Sequence, residues 1–332
     1  MELKKAVKKQ VKLRLGMSGA SGFGKTYSSL LLAYGFTSDW SKIAVIDTEN
    51  DSASLYSDLG EYNVLNLQSP YSPERYIEAI KTCEDAGIEL IIIDSITHEW
   101  DGKGGCLDIH SDLGGQFAHW SKVTPRHNSF IQAILQSKCH IITTVRRKQD
   151  YDMVKNDKGK IEPVKVGLKE VTRDGFEYEL TVNFEFLNDK HLVKASKDRT
   201  SLFANEPEFV ITKDTGIKIK EWCNSGIDEV ELAVKEVELL ETKSEIAKHW
   251  NNNIPLQKNA KYLEAIKNAG EKLKKEEPNG VIAKHRKVVT DYLNDNQDIC
   301  VNVLAQYKKS TVETLTDTQI NQIFESINKN KR

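Results

Sequence analysis

The sequence has no long hydrophobic run and few cysteines. No stretch reaches the roughly 18 consecutive apolar residues that a membrane-spanning helix requires, so we expect no membrane association. The five cysteines are an odd number and no two have C-x-x-C spacing, which argues against a disulfide framework and against a zinc site. This cysteine usage suits a reducing compartment, so we expect a cytoplasmic protein.

A large net charge is also missing. The 47 basic and 49 acidic side chains give a formal net charge of −2, which does not indicate a polyanion-binding protein as a whole. The lysine-rich first residues are not followed by an apolar run, so they lack the pattern of a secretory signal peptide. With 332 residues, 39% of them hydrophobic, the chain is long enough for about two domains.

Strand-like and helix-like segments alternate through about residue 200. The clearest strand contains Leu90 to Ile93, an unbroken apolar run that ends at Asp94 and suits a strand buried on both faces. The alternation predicts an α/β fold with a mostly parallel sheet between helices. The predicted strands are Lys12–Gly16, Lys42–Glu49, Tyr62–Gln68, Glu89–Ile96 and His140–Arg147, and the predicted helices are Lys25–Tyr34, Ser72–Ala86 and Val123–Ser137.

Later segments predict less regular structure. Gln149–Lys165 is polar and lysine-rich and is predicted to be a mobile loop. Phe176–Leu187 and His191–Lys197 are strand-like, and the Asn188-Asp189 pair between them favours a hairpin turn. Ile211–Trp222 is predicted to add a short strand.

The composition changes near residue 224 to a Lys/Glu-rich sequence with helical periodicity. Thr242 with Glu245, and Thr316 with Gln319, have the spacing of capping boxes at helix starts. We predict a basic N-terminal arm at residues 1–11, an α/β domain at residues 12–222 and a small helical domain at residues 227–332.

A glycine-rich segment after the first strand matches the pattern G-x-x-x-x-G-K-[ST] in full. The glycines let backbone N–H groups point at phosphate oxygens, and the following helix directs its positive dipole end at the anion. Lys25 is expected to contact the β and γ phosphates, and the Thr26 hydroxyl is expected to bind Mg²⁺. The motif therefore predicts a site for Mg-ATP. The predicted nucleotide-binding residues are Gly19, Ala20, Ser21, Gly22, Phe23, Gly24, Lys25 and Thr26.

Acidic residues at strand ends complete this site. Asp94 follows the buried strand, where P-loop enzymes place a carboxylate that acts on Mg²⁺. The next residue is Ser95 and not a glutamate, so the general base must come from another strand. Glu49 is our first choice because a strand beside that of Asp94 would direct it at the γ-phosphate. Asp47 and Glu99 remain alternatives.

Two further segments carry a resemblance to a known family. Ile46-Asp47-Thr48-Glu49 resembles the run that holds the catalytic glutamate of archaeal and eukaryotic recombinases, and Ile93-Asp94-Ser95 resembles their Val-Asp-Ser. Together with the P-loop, residues from about 10 to 205 resemble RecA-like recombination ATPases. They are most similar to phage-encoded ones, including single-strand-annealing proteins.

The resemblance implies a RecA-like P-loop core that hydrolyses ATP, with Lys25, Glu49 and Asp94 as catalytic residues. It also implies a link to single-stranded DNA in recombination or repair, in a bacterial host cytoplasm if the chain is phage-encoded. One departure concerns the strand end that senses the γ-phosphate, where recombinases have Asn or Gln and this chain has Thr143-Thr144. Thr144 is therefore expected to contact the nucleotide with a shorter reach.

The same resemblance implies residues that act on a neighbouring subunit. Lys197 and Arg199 match the late-strand position from which recombinases reach the neighbour's γ-phosphate, as an arginine finger does. This role implies a homo-oligomer, either a ring or a filament. Arg146 and Arg147 are second candidates.

Basic residues cluster around one aromatic residue after the Thr144 strand. Such a composition suits single-stranded DNA through phosphate neutralisation and base stacking, although a solvated polar loop has the same composition. The residues of this cluster are Arg146, Arg147, Lys148, Tyr151, Lys155, Lys158, Lys160 and Lys165. A second basic set near the N-terminus consists of Lys4, Lys5, Lys8, Lys9, Lys12 and Arg14.

Two other functions remain open at this point. An ATP-dependent switch or assembly factor would hold a protein partner through the C-terminal helices. A P-loop kinase would phosphorylate a small molecule, with Arg146 and Arg147 as a lid. DNA-stimulated hydrolysis, partner-dependent hydrolysis and phosphate transfer would distinguish the three functions.

Overall fold

A computed structural model describes residues 6–155 and 161–329 of the chain. The chain forms two compact units, the first ending at Ile227 and the second beginning at Asp228. Within the described residues, no helix combines the length and the apolar character that a membrane span requires.

The first unit is built on a sheet whose strands are β1 Arg14–Gly19, β2 Ile43–Asp47, β3 Asn63–Asn66, β4 Leu90–Asp94, β5 His140–Lys155, β6 Ile161–Glu170, β7 Val182–Phe186, β8 Leu192–Asp198 and β9 Phe209–Val210. Their order is β3-β2-β4-β5-β1-β7-β8-β9, and β6 pairs with β5. The strands from β3 to β7 in this order are parallel, whereas β6, β8 and β9 pair in the antiparallel sense. The predicted α/β fold with a mostly parallel sheet is confirmed.

The helices of the first unit are α1 Lys25–Thr37, α2 Pro73–Asp85, α3 Thr97–Asp101, α4 Cys106–Asp112, α5 Trp120–Gln136 and α6 Lys213–Asn224. Those of the second unit are α7 Glu229–Glu238, α8 Lys243–Asn252, α9 Ala260–Asp295, α10 Gln297–Gln306 and α11 Asp317–Lys329.

Strand β4 shows why the apolar run in the sequence is unbroken. Leu90 and Ile92 pack in one core cluster with residues of α1 and α6, whereas Ile91 and Ile93 pack in another with residues of α2 and α5. Successive side chains of a strand point to opposite faces, so a strand covered by helices on both sides needs an apolar residue at every position. Burying each such side chain stabilises the fold by about 1.5–3 kcal/mol.

The predicted mobile loop at Gln149–Lys165 is wrong for the described residues. β5 continues to Lys155 and pairs with β6 in an antiparallel arm, from Arg147 opposite Glu170 to Lys155 opposite Ile161. The apolar residues Val164 and Leu168 recur with the period of a strand, but the lysines between them made the segment resemble a loop.

The predicted strand at Ile211–Trp222 is also wrong, because α6 occupies most of it. Thr212 caps this helix in a reciprocal arrangement with Thr215, and Ile219 and Cys223 are buried one helical turn apart. Tertiary packing against α1 decides the outcome, since Gly35 and Gly216 bring the two helices so close that added Cβ atoms would collide with backbone.

The second unit is helical in its described residues, as the sequence predicts. Thr242 accepts a hydrogen bond from the backbone N–H of Glu245 (3.2 Å), and the Glu245 carboxylate accepts one from the N–H of Thr242 (3.1 Å). Thr316 and Gln319 form the same reciprocal pair at the start of α11. Both capping boxes are confirmed. α9 runs through Pro278 as a single helix.

Candidate functional site

The carboxyl ends of β1, β2 and β4 meet the middle of β5 at one edge of the sheet. β5 lies between β1 and β4, and Asp47 at the end of β2 is directly opposite Asp94 at the end of β4. Ligands of parallel sheets bind at this edge, and the glycine-rich segment follows β1 here. The strand order therefore brings the predicted residues of β1, β2, β4 and β5 together.

Glycine is required in the turn that joins β1 to α1. Gly22 and Gly24 have φ values of +83° and +88°, in the left-handed region that side chains disfavour. A Cβ atom on Gly24 would also lie 2.5 Å from the ring of His191, whereas one on Gly22 would meet nothing within 4 Å. The ring of His191 is held there by a 2.9 Å contact between its Nδ1 and the carbonyl oxygen of Phe23.

Lys25 is 9% exposed and its ammonium group is bound by its own loop. Nζ donates to the carbonyl oxygens of Gly19 (3.0 Å) and Ala20 (2.9 Å). Burial lowers the pKa of Lys25, an effect that Asp94 opposes and Arg146 reinforces. Lys25 and Arg146 are thus two cations in the space above the turn, which they share with the carboxylates of Asp94 and Glu49.

Asp94 is held between two threonine hydroxyls. Thr26 Oγ1 donates to Oδ2 and Thr144 Oγ1 donates to Oδ1, both at 2.5 Å. A hydroxyl and a carboxylate in contact, both oxygen donors, fit a hard cation such as Mg²⁺. Thr144 is fully buried. Its hydroxyl is directed at Asp94 and it does not line the cavity, so its predicted contact with the nucleotide remains a prediction.

Glu49 follows β2 and reaches the same space. Its Oε1 accepts a hydrogen bond from Ser95 Oγ (2.9 Å), and its Oε2 forms an ion pair with the guanidinium of Arg146. Its side chain keeps 16% of its surface exposed. Glu49 is therefore near the P-loop and partly accessible to water, as a general base must be.

The two alternative bases are both engaged elsewhere. Asp47 is 2% exposed, and its two oxygens accept hydrogen bonds from the backbone N–H groups of Glu49 (2.6 Å) and Ala53 (2.7 Å). Burial raises the pKa of Asp47, an effect that the N–H of Ala53 opposes. Glu99 is 1% exposed and contacts the buried side chain of His127 at 3.0 Å. This geometry favours Glu49.

A cavity of about 540 Å³ lies above the turn. Its lining consists of Ser21, Gly22, Gly24, Lys25, Thr26, Tyr27, Glu49, Ser52, Tyr56, Asp94, Arg146 and His191. The sequence predicts no role for Tyr27, Tyr56 or His191. The Tyr27 and Tyr56 rings lie 6.0 Å apart and offer an aromatic surface. Tyr27 directly follows the motif and could have been suspected, whereas His191 reaches the cavity only because the β7–β8 turn lies beside the P-loop.

Lys197 and Arg199 do not line the cavity of their own chain. Lys197 Nζ donates to the carbonyl oxygen of Glu177 (2.8 Å), and Arg199 Nη2 donates to that of Tyr178 (2.6 Å). Because β8 is antiparallel to β7, its end lies toward the amino-terminal edge of the parallel strands, opposite the P-loop. Their predicted action on a neighbouring subunit remains a prediction.

The predicted basic surfaces are described only in part. Arg147 pairs with Glu185, and Lys148 pairs with Asp101 at 2.8 Å. Arg14 is 5% exposed and donates to four backbone carbonyl oxygens, so it does not belong to an exposed basic set. Other members of the two predicted sets lie outside the described residues or side chains: Lys4, Lys5, Tyr151, Lys155, Lys158, Lys160 and Lys165.

Comparison with known proteins gives one family. A family model described as "AAA domain" matches residues 11–214, which is more than half of the chain. Among solved structures, a KaiC-like protein from the hyperthermophilic archaeon Pyrococcus horikoshii is similar, with a TM-score of 0.33 and 12% identity over 59% of this chain and 82% of that chain. No curated protein matches the sequence.

Proposed function

We propose that this chain, which belongs to the AAA-domain family and is an ATPase, couples ATP hydrolysis to the binding of single-stranded DNA. We further propose that it works as a homo-oligomer in recombination or repair of the phage type. The nucleotide site supports the hydrolytic half of this proposal, and the continuity of β5 supports the coupling.

The residues around the cavity divide the hydrolytic work. Lys25 exchanges its carbonyl contacts for the β and γ phosphates, and the backbone of residues 20–24 cradles the same anion. Thr26 and Asp94 are the residues that would hold Mg²⁺, which when bound neutralises phosphate charge. Glu49 orients a water molecule for attack and accepts its proton. Thr144 keeps the Asp94 carboxylate in place through its hydrogen bond.

Strand β5 connects the nucleotide site to the arm. β5 bears Thr144, which contacts Asp94, and Arg146, which contacts Glu49, and it then continues to Lys155 in the arm with β6. A ligand that displaces the arm therefore acts on the strand that holds both acidic residues. The lysines of the arm sequence, which include Lys155 and Lys165, suit a nucleic-acid backbone as that ligand.

The experiment is a Mg-ATPase assay with and without oligo-dT over a series of salt concentrations. We expect stimulation by the DNA that fades as salt rises, because phosphate contacts release counterions. Replacing Lys155 and Lys165 by Gln should lower the ratio of the stimulated to the unstimulated rate. Replacing the exposed Lys81 of α2 should leave that ratio unchanged.

A protein partner is the second candidate, and exposed apolar side chains favour it. In the second unit, Leu239, Ile254 and Val301 are 80%, 69% and 67% exposed. Hydrolysis that is indifferent to DNA at every salt concentration would contradict the DNA proposal and support a switch or assembly factor that acts on a protein.

A further inference from the structure

Both carboxylate oxygens of Glu49 have partners. Ser95 Oγ donates to Oε1 at 2.9 Å, and Arg146 pairs with Oε2. A general base must direct an oxygen at the water molecule that it activates. In this arrangement Oε2 is directed at a guanidinium group instead, so Glu49 has to exchange that partner before it can act.

Arg146 belongs to the nucleotide cavity of its own chain. It lies two residues after Thr144 on β5, and both side chains reach acidic residues of the site, Asp94 and Glu49. The guanidinium lines the same cavity as Lys25, and its charge contributes to lowering the pKa of that lysine. Burial lowers the pKa of Arg146 itself, so this cation is partly desolvated and needs an anionic partner.

Two anions can fill that need at the same place. A guanidinium group can form bidentate hydrogen bonds with a carboxylate or with a phosphate. Glu49 supplies the carboxylate in the present structure. The γ-phosphate of ATP would supply the other anion, because Lys25 and the P-loop fix where the phosphates lie.

We propose that Arg146 acts in cis as a γ-phosphate-sensing residue, exchanging Glu49 for the γ-phosphate when ATP binds and so releasing Glu49 to act as the base. The inference rests on the proposed role of Glu49. The exchange moves no covalent bond, since one ion pair opens and another forms. ADP lacks the γ-phosphate, so ADP leaves the Arg146–Glu49 pair closed.

A double-mutant cycle in nucleotide affinity tests the exchange. We would measure the Kd of fluorescent mant-AMP-PNP and mant-ADP, with Mg²⁺, for wild type, Glu49→Gln, Arg146→Ala and the double variant. Glu49→Gln removes the competing anion, so AMP-PNP should bind more tightly by about tenfold, the size of one charge-assisted hydrogen bond. Mant-ADP affinity should not change.

The double variant separates this exchange from simple repulsion between Glu49 and the γ-phosphate. If the two anions compete for Arg146, Glu49→Gln has no effect on AMP-PNP affinity in the Arg146→Ala background. If the carboxylate only repels the phosphate, the tightening persists in that background, and the exchange is refuted. Arg146→Lys keeps a cation and should restore part of the coupling, which a purely structural role of Arg146 would not produce.

Matched controls come from another arginine–glutamate pair. Arg126 Nε contacts Glu74 Oε1 at 2.7 Å on the surface, away from the cavity lining. Arg126→Ala and Glu74→Gln should leave both Kd values unchanged. Wild-type protein that binds neither nucleotide would refute both the nucleotide site and the exchange. If the nucleotides bind normally but the effects of Glu49→Gln and Arg146→Ala on AMP-PNP affinity are additive, only the exchange is refuted.

Discussion

The hydroxyl of Thr26 lies 2.5 Å from Oδ2 of Asp94, although 68 residues separate the two in the chain. Thr144 holds the other oxygen of the same carboxylate at the same distance. The P-loop, the end of β4 and the middle of β5 therefore meet at one carboxylate. We therefore expect substitutions in any of the three to alter the Mg²⁺ dependence of hydrolysis.

We expect Asp94→Asn to lower kcat by at least about 100-fold, because an amide removes the negative charge that serves the metal. The apparent affinity for Mg²⁺ should fall in the same variant, which a titration of the ATPase rate with Mg²⁺ would measure. Thr144→Val removes one hydrogen bond and keeps the charge of Asp94, so kcat should fall by only about tenfold. An unchanged apparent affinity for Mg²⁺ in Asp94→Asn would contradict a role of the Asp94 charge at the metal.

Glu49→Gln should retain nucleotide binding and slow hydrolysis by about 10²–10⁴-fold, the usual contribution of a general base. Single-turnover hydrolysis together with equilibrium binding would separate the two steps. Turnover at the wild-type rate would remove Glu49 as the base. Asp47→Asn is the comparison, and we expect it to destabilise the segment after β2 because Asp47 caps the N–H groups of Glu49 and Ala53.

Gly24→Ala should impair nucleotide binding more than Gly22→Ala does. Both positions have positive φ, so either alanine costs about 1–2 kcal/mol in backbone strain. Only the alanine at position 24 would also collide with the His191 ring, 2.5 Å from its Cβ. Nucleotide titration of both variants, with thermal melting as a check of folding, would measure the difference. Equal losses would mean that the ring moves aside freely.

Mixing Arg199→Ala subunits with wild-type subunits should depress the ATPase rate more steeply than in proportion to the mutant fraction. This follows if Arg199 completes the site of a neighbouring subunit, because one mutant then disables a wild-type P-loop. The same experiment with Lys197→Ala tests the second predicted residue. A linear decline would assign both side chains to their own chain, where they bind the carbonyl oxygens of Glu177 and Tyr178.

His140 should make the first unit less stable in acid. Burial lowers the pKa of His140 from 6.5 to about 3, and its Nδ1 accepts a hydrogen bond from the N–H of Leu13 at 3.0 Å. The unfolded chain takes up a proton near pH 6.5 and the folded chain does not. Stability should therefore fall as the pH drops from about 6.5 toward 3, by up to about 1.4 kcal/mol per pH unit.

Melting temperatures between pH 8 and pH 5 would measure this effect. His140→Asn offers an oxygen near the position of Nδ1 and does not titrate, so its melting temperature should depend less on pH. The same acid slope in the variant and in wild type would assign the slope to other groups.

The parallel core was predictable because its strands are buried on both faces, and such strands have an unbroken run of apolar residues in the sequence. Leu90 to Ile93 is unambiguous for this reason. The arm of β5 and β6 was missed because charged residues hide a period of two, and α6 was missed because its packing against α1 overrides a weak local preference. Local sequence patterns therefore indicate which residues are buried, but they do not indicate which strand or helix those residues pack against.

The sequence by itself determined the P-loop and the acidic residue at the end of β4, because each depends on residue types at short spacing within one turn or strand. The tertiary structure decided which side chains meet around them. The contacts of Arg146 with Glu49 and of His191 with Phe23 arise from strand order, which joins segments far apart in the chain. No local pattern encodes that order, because it is set by how helices on both faces bury the sheet.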